Sequence, residues 1–392
     1  MDNTTGANII GSNIISSLGF TAEENFSIVK QGISGIKHYD TGVFKLPEAF
    51  MSSLINKEKL NDEFLKISSK NIYTNLEKAA ILSVFYANTE AKIDLSNKKT
   101  IFILSTTKGN VELLEIGKSE NQKIYIWHTA ELITRFFNNP NTPIAVSNAC
   151  ISGAAAQIVA MRELQSGNYD HAVVVGVDLL SKFIISGFQS FKALSPELCR
   201  PFDKARCGLN LGEAAATIIF SREIKGFNGI KLTSGTIRND ATHISAPSRT
   251  GEGSYRALMS VLQNIDLNDI AFLNAHGTAT SYNDAMEMNA IVRAGLAHLP
   301  VNGLKAYFGH TLGAAGILES IISMKALNIH IILKTLGCEE QDNIIINNVE
   351  HSLNINKENR NSNKKIFIKM ISGFGGVNAV LCFSLQYRKF KK

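Results

Sequence analysis

Cys150 stands where the composition changes. An apolar stretch over residues 144–149 runs into it, and the very small residues Ile151-Ser152-Gly153-Ala154-Ala155-Ala156 follow. The first stretch predicts a buried strand and the second a helix over 151–165, with the cysteine at the turn between them. A thiol at a helix N-terminus meets unpaired N–H groups and the positive end of the macrodipole, so its pKa is expected to fall. Two histidines have comparable settings. His276, in Asn274-Ala275-His276-Gly277-Thr278-Ala279-Thr280, closes an apolar strand, and His310, in Phe308-Gly309-His310-Thr311-Leu312-Gly313, precedes a second small-residue helix. Residues at strand ends face the crevice where α/β sheets take their ligands. A thiol nucleophile with imidazole partners is the chemistry these positions offer.

Other residues surround this set. Thr278 and Thr280 supply hydroxyls suited to an amide-bearing ligand. Lys305, just upstream of His310, is expected to fix the charge and orientation of a nearby carboxylate such as Glu287, which follows Asp284 on the helix after His276. The turn Ser372-Gly373-Phe374-Gly375-Gly376-Val377-Asn378 leaves backbone N–H groups accessible, a source of one oxyanion-hole donor. Taken singly, each feature also fits a plain role. Cys150 reads as an ordinary buried cysteine, Lys305 as a snorkelling lysine, and the glycines as any tight turn.

The elements that must position these residues alternate along the chain. Strands are expected at 144–149, 172–177, 214–220, 270–275, 366–371 and 377–385, and helices at 151–165, 284–296 and 313–328. Strands alternating with helices predict an α/β fold with helices covering the sheet. Residues 339–365, rich in Asn, Glu and Lys, read as a surface loop or insertion, and residues 41–75 as a helical cap region with loops. The 392 residues are 45% hydrophobic and 19% charged, a globular composition with enough apolar residues for a sizeable core. No stretch has the roughly 18 apolar residues of a membrane span, and the first residues lack a secretory pattern, which points to the cytoplasm. Five cysteines, an odd number without metal-ligand spacing, fit a reducing compartment. The net charge of +6 is spread thinly, and no aromatic-interleaved basic stripe speaks for nucleic acid; an acidic protein partner suits it better. The tail Arg388-Lys389-Phe390-Lys391-Lys392 reads as a solvated end.

In order, Cys150, His276, Lys305, His310 and the Gly373–Gly376 loop resemble the β-ketoacyl-acyl-carrier-protein synthases. Gly32-Ile33-Ser34-Gly35-Ile36, Ala193-Leu194-Ser195, the run from Arg200-Pro201-Phe202-Asp203 to Arg206-Cys207-Gly208, and Gly212-Glu213-Ala214-Ala215 are similar to further stretches of that family. The resemblance covers most of the chain. It implies a thiolase-like fold, five alternating α and β layers built from two similar halves, here 1–225 and 226–392. It implies that Cys150 accepts an acyl group from a carrier-protein phosphopantetheine, and that His276 and His310 stabilise the enolate left when a malonyl thioester loses carbon dioxide. Lys305 and Glu287 support that network, Thr278 and Thr280 contact the pantetheine arm, and the N–H groups of Cys150 and Phe374 form the oxyanion hole. Phe374 also gates the acyl pocket. The partners implied are an acyl-carrier protein and a second subunit, identical or ketosynthase-like. No metal or organic cofactor is implied.

The chain departs from the family pattern at the first strand, at Met370-Ile371-Ser372 before the glycine loop, at Ile151-Ser152-Gly153 after the nucleophile, and after Leu336. The turn Ser105-Thr106-Thr107-Lys108-Gly109-Asn110 carries an unusual lysine. These departures bear on acyl-chain preference and point to a specialised pathway. A chain-length-type partner subunit without turnover is the alternative, set against the retention of Cys150, His276 and His310. A thiolase or type III condensing enzyme is disfavoured because His310 fills the discriminating place. An acyl hydrolase differs in releasing free acid without consuming malonyl groups.

Overall fold

The computed structural model describes residues 6–387 except 71, 119, 223, 225 and 264; the basic tail 388–392 and the first five residues lie outside the described residues. Eleven strands form one large sheet: β1 (Ala7–Ile15), β2 (Thr100–Ser105), β3 (Ile144–Val146), β4 (His171–Asp178), β5 (Ala214–Ser221), β6 (Gly229–Asn239), β7 (Ile270–Asn274), β8 (Pro300–Asn302), β9 (Asn354–Ile355), β10 (Ile366–Gly373) and β11 (Val377–Gln386). Six helices matter most here: α1 (Asn75–Ala91), α2 (Ile126–Phe136), α3 (Ser152–Gln165), α4 (Glu252–Leu262), α5 (Ser281–Arg293) and α6 (Ala315–Asn328).

The sheet order is β9-β8-β7-β10-β11-β6-β1-β5-β4-β2-β3. Outward from the β1–β6 contact, the same topology appears twice. In each half the first strand pairs antiparallel with the fifth and the fifth antiparallel with the fourth. The fourth then runs parallel with the second and the second parallel with the third. The short strand β9 extends the second half at its β8 edge. The halves join where Ala7 and Asn8 of β1 pair antiparallel with Leu232 and Lys231 of β6. This is the thiolase-like arrangement of two similar halves. Central strands read as continuous apolar runs because both faces are covered: every residue of β5 is buried, as is all of β4 beyond His171.

Helices α1 and α4 cover the outer faces, and α3 and α6 lie together between the halves. Helix α6 is buried nearly all round, which is why its apolar residues show no one-sided stripe. Small residues let the two central helices approach closely. A Cβ on Gly153 would stand 2.7 Å from the Gly313 carbonyl oxygen, and one on Gly316 would stand 2.6 Å from the Ala154 nitrogen. Buried Gln157 bridges the pair, its amide donating to the carbonyls of Gly153 and Gly316 at 3.1 Å each.

Some expected elements differ. The strand before Cys150 ends at Val146 rather than 149, because the chain must leave the sheet to build the turn that presents the thiol, and as the edge strand it is half-buried to exposed rather than buried. Residues 339–365 are not simply a loop. They hold a hairpin, Ile344–Ile346 with Val349–His351, and the sheet strand β9, anchored by Ile344, Leu353 and Ile355 in the core of the second half. The 41–75 region carries a helix over Lys57–Leu65 but also a strand, Phe50–Ser53, paired with Leu211–Gly212. No helix among the described residues is long and apolar enough to cross a membrane.

Candidate active site

Equivalent points of the two halves supply the reactive residues. Cys150 follows the third strand of its half and precedes α3, and His310 follows the third strand of the other half and precedes α6. Ala149, before the thiol, has φ of +45°, and Leu312, after His310, has φ of +51°. Such left-handed turns at non-glycine residues cluster at functional sites. His310 is pinned to a neighbouring segment, donating its N–H to the Asn210 carbonyl at 2.7 Å and accepting from the Gly212 N–H at 3.1 Å. Its ring is buried, and neither ring nitrogen has a hydrogen-bond partner among the described residues. The His276 and His310 rings meet edge to face, with centroids 5.0 Å apart.

Cys150, His276, His310, Thr278, Thr280 and Phe374 all line one cavity of about 400 Å³. The hydroxyls of Thr278 and Thr280 are 2.9 Å apart. The β10–β11 turn closes over the thiol, and the Phe374 N–H faces the cysteine sulfur closely enough to favour its thiolate slightly. Gly373 eases that approach, because a Cβ there would sit a tight 3.1 Å from the Cys150 nitrogen. The Phe374 ring packs on Phe188 and Phe191, centroids 5.9 and 5.5 Å away. Those rings and Cys150 also line a second cavity, of about 680 Å³, so Phe374 stands in the wall between the two.

Electrostatics correct two expectations. Burial pushes the Cys150 thiol up to about 11, more than Lys108 and Lys305 pull it down. At the start of α3 desolvation outweighs the helix terminus, so a lowered pKa is not what the structure shows. Burial likewise lifts Cys338 and Cys382 to about 11 and Cys199 to about 12, so acidity does not distinguish Cys150; its place on both cavities does. The second correction concerns Lys305, which is not on Glu287. The Glu287 carboxylate accepts the N–H groups of His276 and Gly277 at 2.7 Å each and the Asn283 amide at 3.0 Å. It thereby shapes the backbone of the histidine turn. Burial first, then Asp284, raises Glu287 to about 7.

Lys305 instead pairs with Glu319 on α6, whose other oxygen meets the Lys369 ammonium at 2.5 Å; all three side chains are buried. The Lys305 ammonium also donates to the His276 carbonyl at 3.1 Å and lies 3.3 Å from His276 Nδ1. An ammonium can only donate, so Nδ1 accepts and the ring proton sits on Nε2. Burial, followed by the Lys305 charge, holds both His276 and His310 well below the ordinary imidazole value, so both rings are neutral at pH 7. Sequence reading missed Glu319 and Lys369. Their signal was a charge inside an otherwise apolar helix and another inside an apolar strand, both of which demand a buried partner.

The strand duplication, the convergence on Cys150 and the match to family patterns agree. Residues 8–225 match the N-terminal domain of Beta-ketoacyl synthase and residues 231–339 its C-terminal domain, so the chain belongs to the beta-ketoacyl synthase family. It is 32% identical over 259 residues to 3-oxoacyl-[acyl-carrier-protein] synthase 2 of Staphylococcus aureus, a match covering 61% of this chain and 62% of that relative's length. The corresponding synthase of Vibrio harveyi is 25% identical over 415 residues, covering 96% of this chain and 97% of that protein. Among solved structures, the ishigamide ketosynthase/chain length factor superimposes with a TM-score of 0.86 at 24% identity, covering 98% of this chain and all of that one.

Proposed function

We propose that this protein is a decarboxylating ketosynthase that condenses an acyl group held on Cys150 with malonyl-acyl-carrier protein, giving a 3-oxoacyl-acyl-carrier protein. The observation that carries this reading is the convergence of Cys150 and two neutral imidazoles on one cavity. The Cys150 sulfur attacks the acyl thioester carbonyl while its proton passes to an acceptor in the cavity. His310, with both ring nitrogens unpartnered, is one acceptor for it and water in the cavity is another, so acylation does not depend on His310. Charge on the carbonyl oxygen is met by the Phe374 and Cys150 N–H groups, and the departing pantetheine sulfur takes the proton. A malonyl thioester then loses carbon dioxide, and the electron pair of the broken C–C bond forms an enolate. The Nε2–H of His276, fixed by Lys305 at Nδ1, and a donor nitrogen of His310 stabilise an oxygen whose charge develops only in that transition state. The enolate carbon attacks the acyl-cysteine carbonyl, the C–S bond breaks, and the Cys150 thiolate leaves and takes a proton from solvent, the one proton the condensation consumes.

This chemistry draws on no metal or organic cofactor of the enzyme, the pantetheine being the carrier's own. In this reading Thr278 and Thr280, which line the first cavity, hold the pantetheine amides, and Phe374, which lines both cavities, controls passage between them. A cytoplasmic setting and a dimer with an identical or ketosynthase-like subunit go with this reading. Retention of the nucleophile favours turnover over the role of a silent chain-length partner. The test is to incubate the purified protein with malonyl-carrier protein and a panel of acyl-carrier proteins and to identify products by mass. Cys150→Ala should abolish acyl-enzyme formation. His310→Ala should still trap an acyl group but release little carbon dioxide. Normal decarboxylation by the His276 and His310 variants alike would reject these roles.

A further inference from the structure

The second cavity, of about 680 Å³, lies across Phe374 from the first and reaches the same thiol. Resting on the ketosynthase reading, this is where the acyl chain on Cys150 lodges. Ile184, Phe188 and Leu312 give it apolar walls, yet Lys108, Lys182 and Glu115 line it too. Glu115 is engaged elsewhere, accepting the N–H of Phe183 at 2.7 Å. Lys108 is half-buried, makes no ion pair among the described residues, and donates only to its neighbour's hydroxyl, Thr107 Oγ1, at 3.2 Å. It lines the same cavity as the Cys150 thiol, and its charge bears on both Cys150 and His310.

A saturated chain entering this cavity strips water from the Lys108 ammonium and returns no acceptor, which costs free energy. An oxygen on the chain replaces the lost water. We propose that Lys108 selects acyl groups bearing a hydrogen-bond-accepting oxygen, a ketone or a carboxylate, over saturated chains of equal length. Because the lysine is only half-buried, we set the expected discrimination at about tenfold, or about 1.4 kcal/mol.

The experiment follows acylation of Cys150 by intact mass, using carrier-borne octanoyl, 3-oxooctanoyl and suberyl groups on wild type, Lys108→Met and Lys108→Gln. Wild type should prefer one or both oxygenated donors about tenfold, and K108M should bring all three to within about twofold. K108Q, which donates without charge, should keep a preference for the ketone but not for the carboxylate, and it serves alone if K108M does not fold. A wild-type preference for suberyl identifies an anionic chain, and one for 3-oxooctanoyl a neutral oxygenated chain. Equal slowing of every donor by K108M would mean that the lysine only tunes the thiol, and the proposal fails. It fails equally if the wild type prefers octanoyl. If no donor acylates Cys150, the ketosynthase reading itself falls, a result plainly different from a lost preference.

Discussion

The Lys305 ammonium lies 3.3 Å from Nδ1 of His276 and is held there by Glu319, which also binds Lys369. One acid from α6, one lysine from the short helix Lys305–Phe308 after β8 and one lysine from β10 thus form a buried cluster beneath the histidine. Neither lysine makes another ion pair among the described residues: the remaining Lys369 hydrogen bonds go to the carbonyls of Ala275 and Met370, and the Glu287 charge reaches it only from farther off.

Glu319→Gln should therefore be strongly destabilising. It leaves two buried ammonium groups without a counter-charge, a loss of about 3–5 kcal/mol. Urea denaturation followed by far-UV circular dichroism measures it. The triple change Lys305→Met, Glu319→Leu, Lys369→Met should recover much of that stability, since an apolar replacement of a buried ionic cluster is often neutral or better. It should not recover malonyl decarboxylation, because nothing then fixes the His276 tautomer. A triple variant with normal carbon dioxide release would refute the positioning role of Lys305.

Stability should fall on acidification through the two histidines. Their folded pKa values lie well below 6.5, so below that pH the unfolded chain binds protons at 276 and 310 that the folded chain does not. Each group then contributes a slope approaching about 1.4 kcal/mol per pH unit, with stability lost as pH falls. Glu287 acts in the opposite sense. Raised from 4.5 to about 7, it binds its proton more readily when folded, so its contribution is present at low pH and lost as pH rises through 7. The difference between wild type and His310→Gln isolates one histidine. The variant's stability should decline less steeply between pH 7 and 5, and parallel curves would contradict a buried neutral His310.

Much of this arrangement was legible in the sequence because the reactive residues sit where strand periodicity stops and small residues begin. Cys150, His276 and His310 were placed by that change of pattern, and the glycine turn with Phe374 by its need for close backbone approach. The missing parts were long-range. Which carboxylate meets Lys305 depends on how α6 packs beneath β7 and β10; Glu287 drew attention because it follows His276 on the next helix, although Glu319 is nearer to Lys305 in sequence. Helix-terminus reasoning gave the wrong direction for Cys150 because burial is a property of the assembled halves. Likewise, β9 was hidden in a polar stretch, where only Leu353 and Ile355 mark the face turned to the core.

A thiol pushed up to about 11 predicts its own reactivity profile. Alkylation of Cys150 by iodoacetamide, mapped by peptide mass, should climb about tenfold per pH unit from 7 to 9 with no plateau, tracking the thiolate fraction. Cys207, exposed at the first cavity, provides an internal comparison, whereas Cys199, Cys338 and Cys382 are buried away from both cavities and should label slowly. A plateau for Cys150 below pH 8 would show that the site lowers its pKa after all.

Phe374 and Gly373 separate two functions carried by one turn. The Phe374 N–H serves the sulfur, while its ring, packed on Phe188 and Phe191, forms the wall between the cavities. Phe374→Ala keeps the N–H and removes the ring, so Cys150 should still be acylated within about threefold of the wild-type rate, less than about 0.7 kcal/mol of transition-state stabilisation. What should change is the order of loading: without the wall, longer acyl donors gain relative to short ones. Gly373→Ala does the reverse. Its new methyl meets the Cys150 nitrogen at 3.1 Å and the Ala149 Cβ at 3.2 Å, so the turn must give by a few tenths of an ångström and its N–H no longer aims as well at the thiol. Removing an oxyanion-hole donor altogether costs about 10²–10³ in rate, so misaiming it should slow acylation by every donor by up to that order with chain-length preference unchanged. Single-turnover acylation with a short and a long carrier-borne donor distinguishes the two variants. Loss of rate in Phe374→Ala without a change of preference would show that the ring supports the donor instead of dividing the cavities.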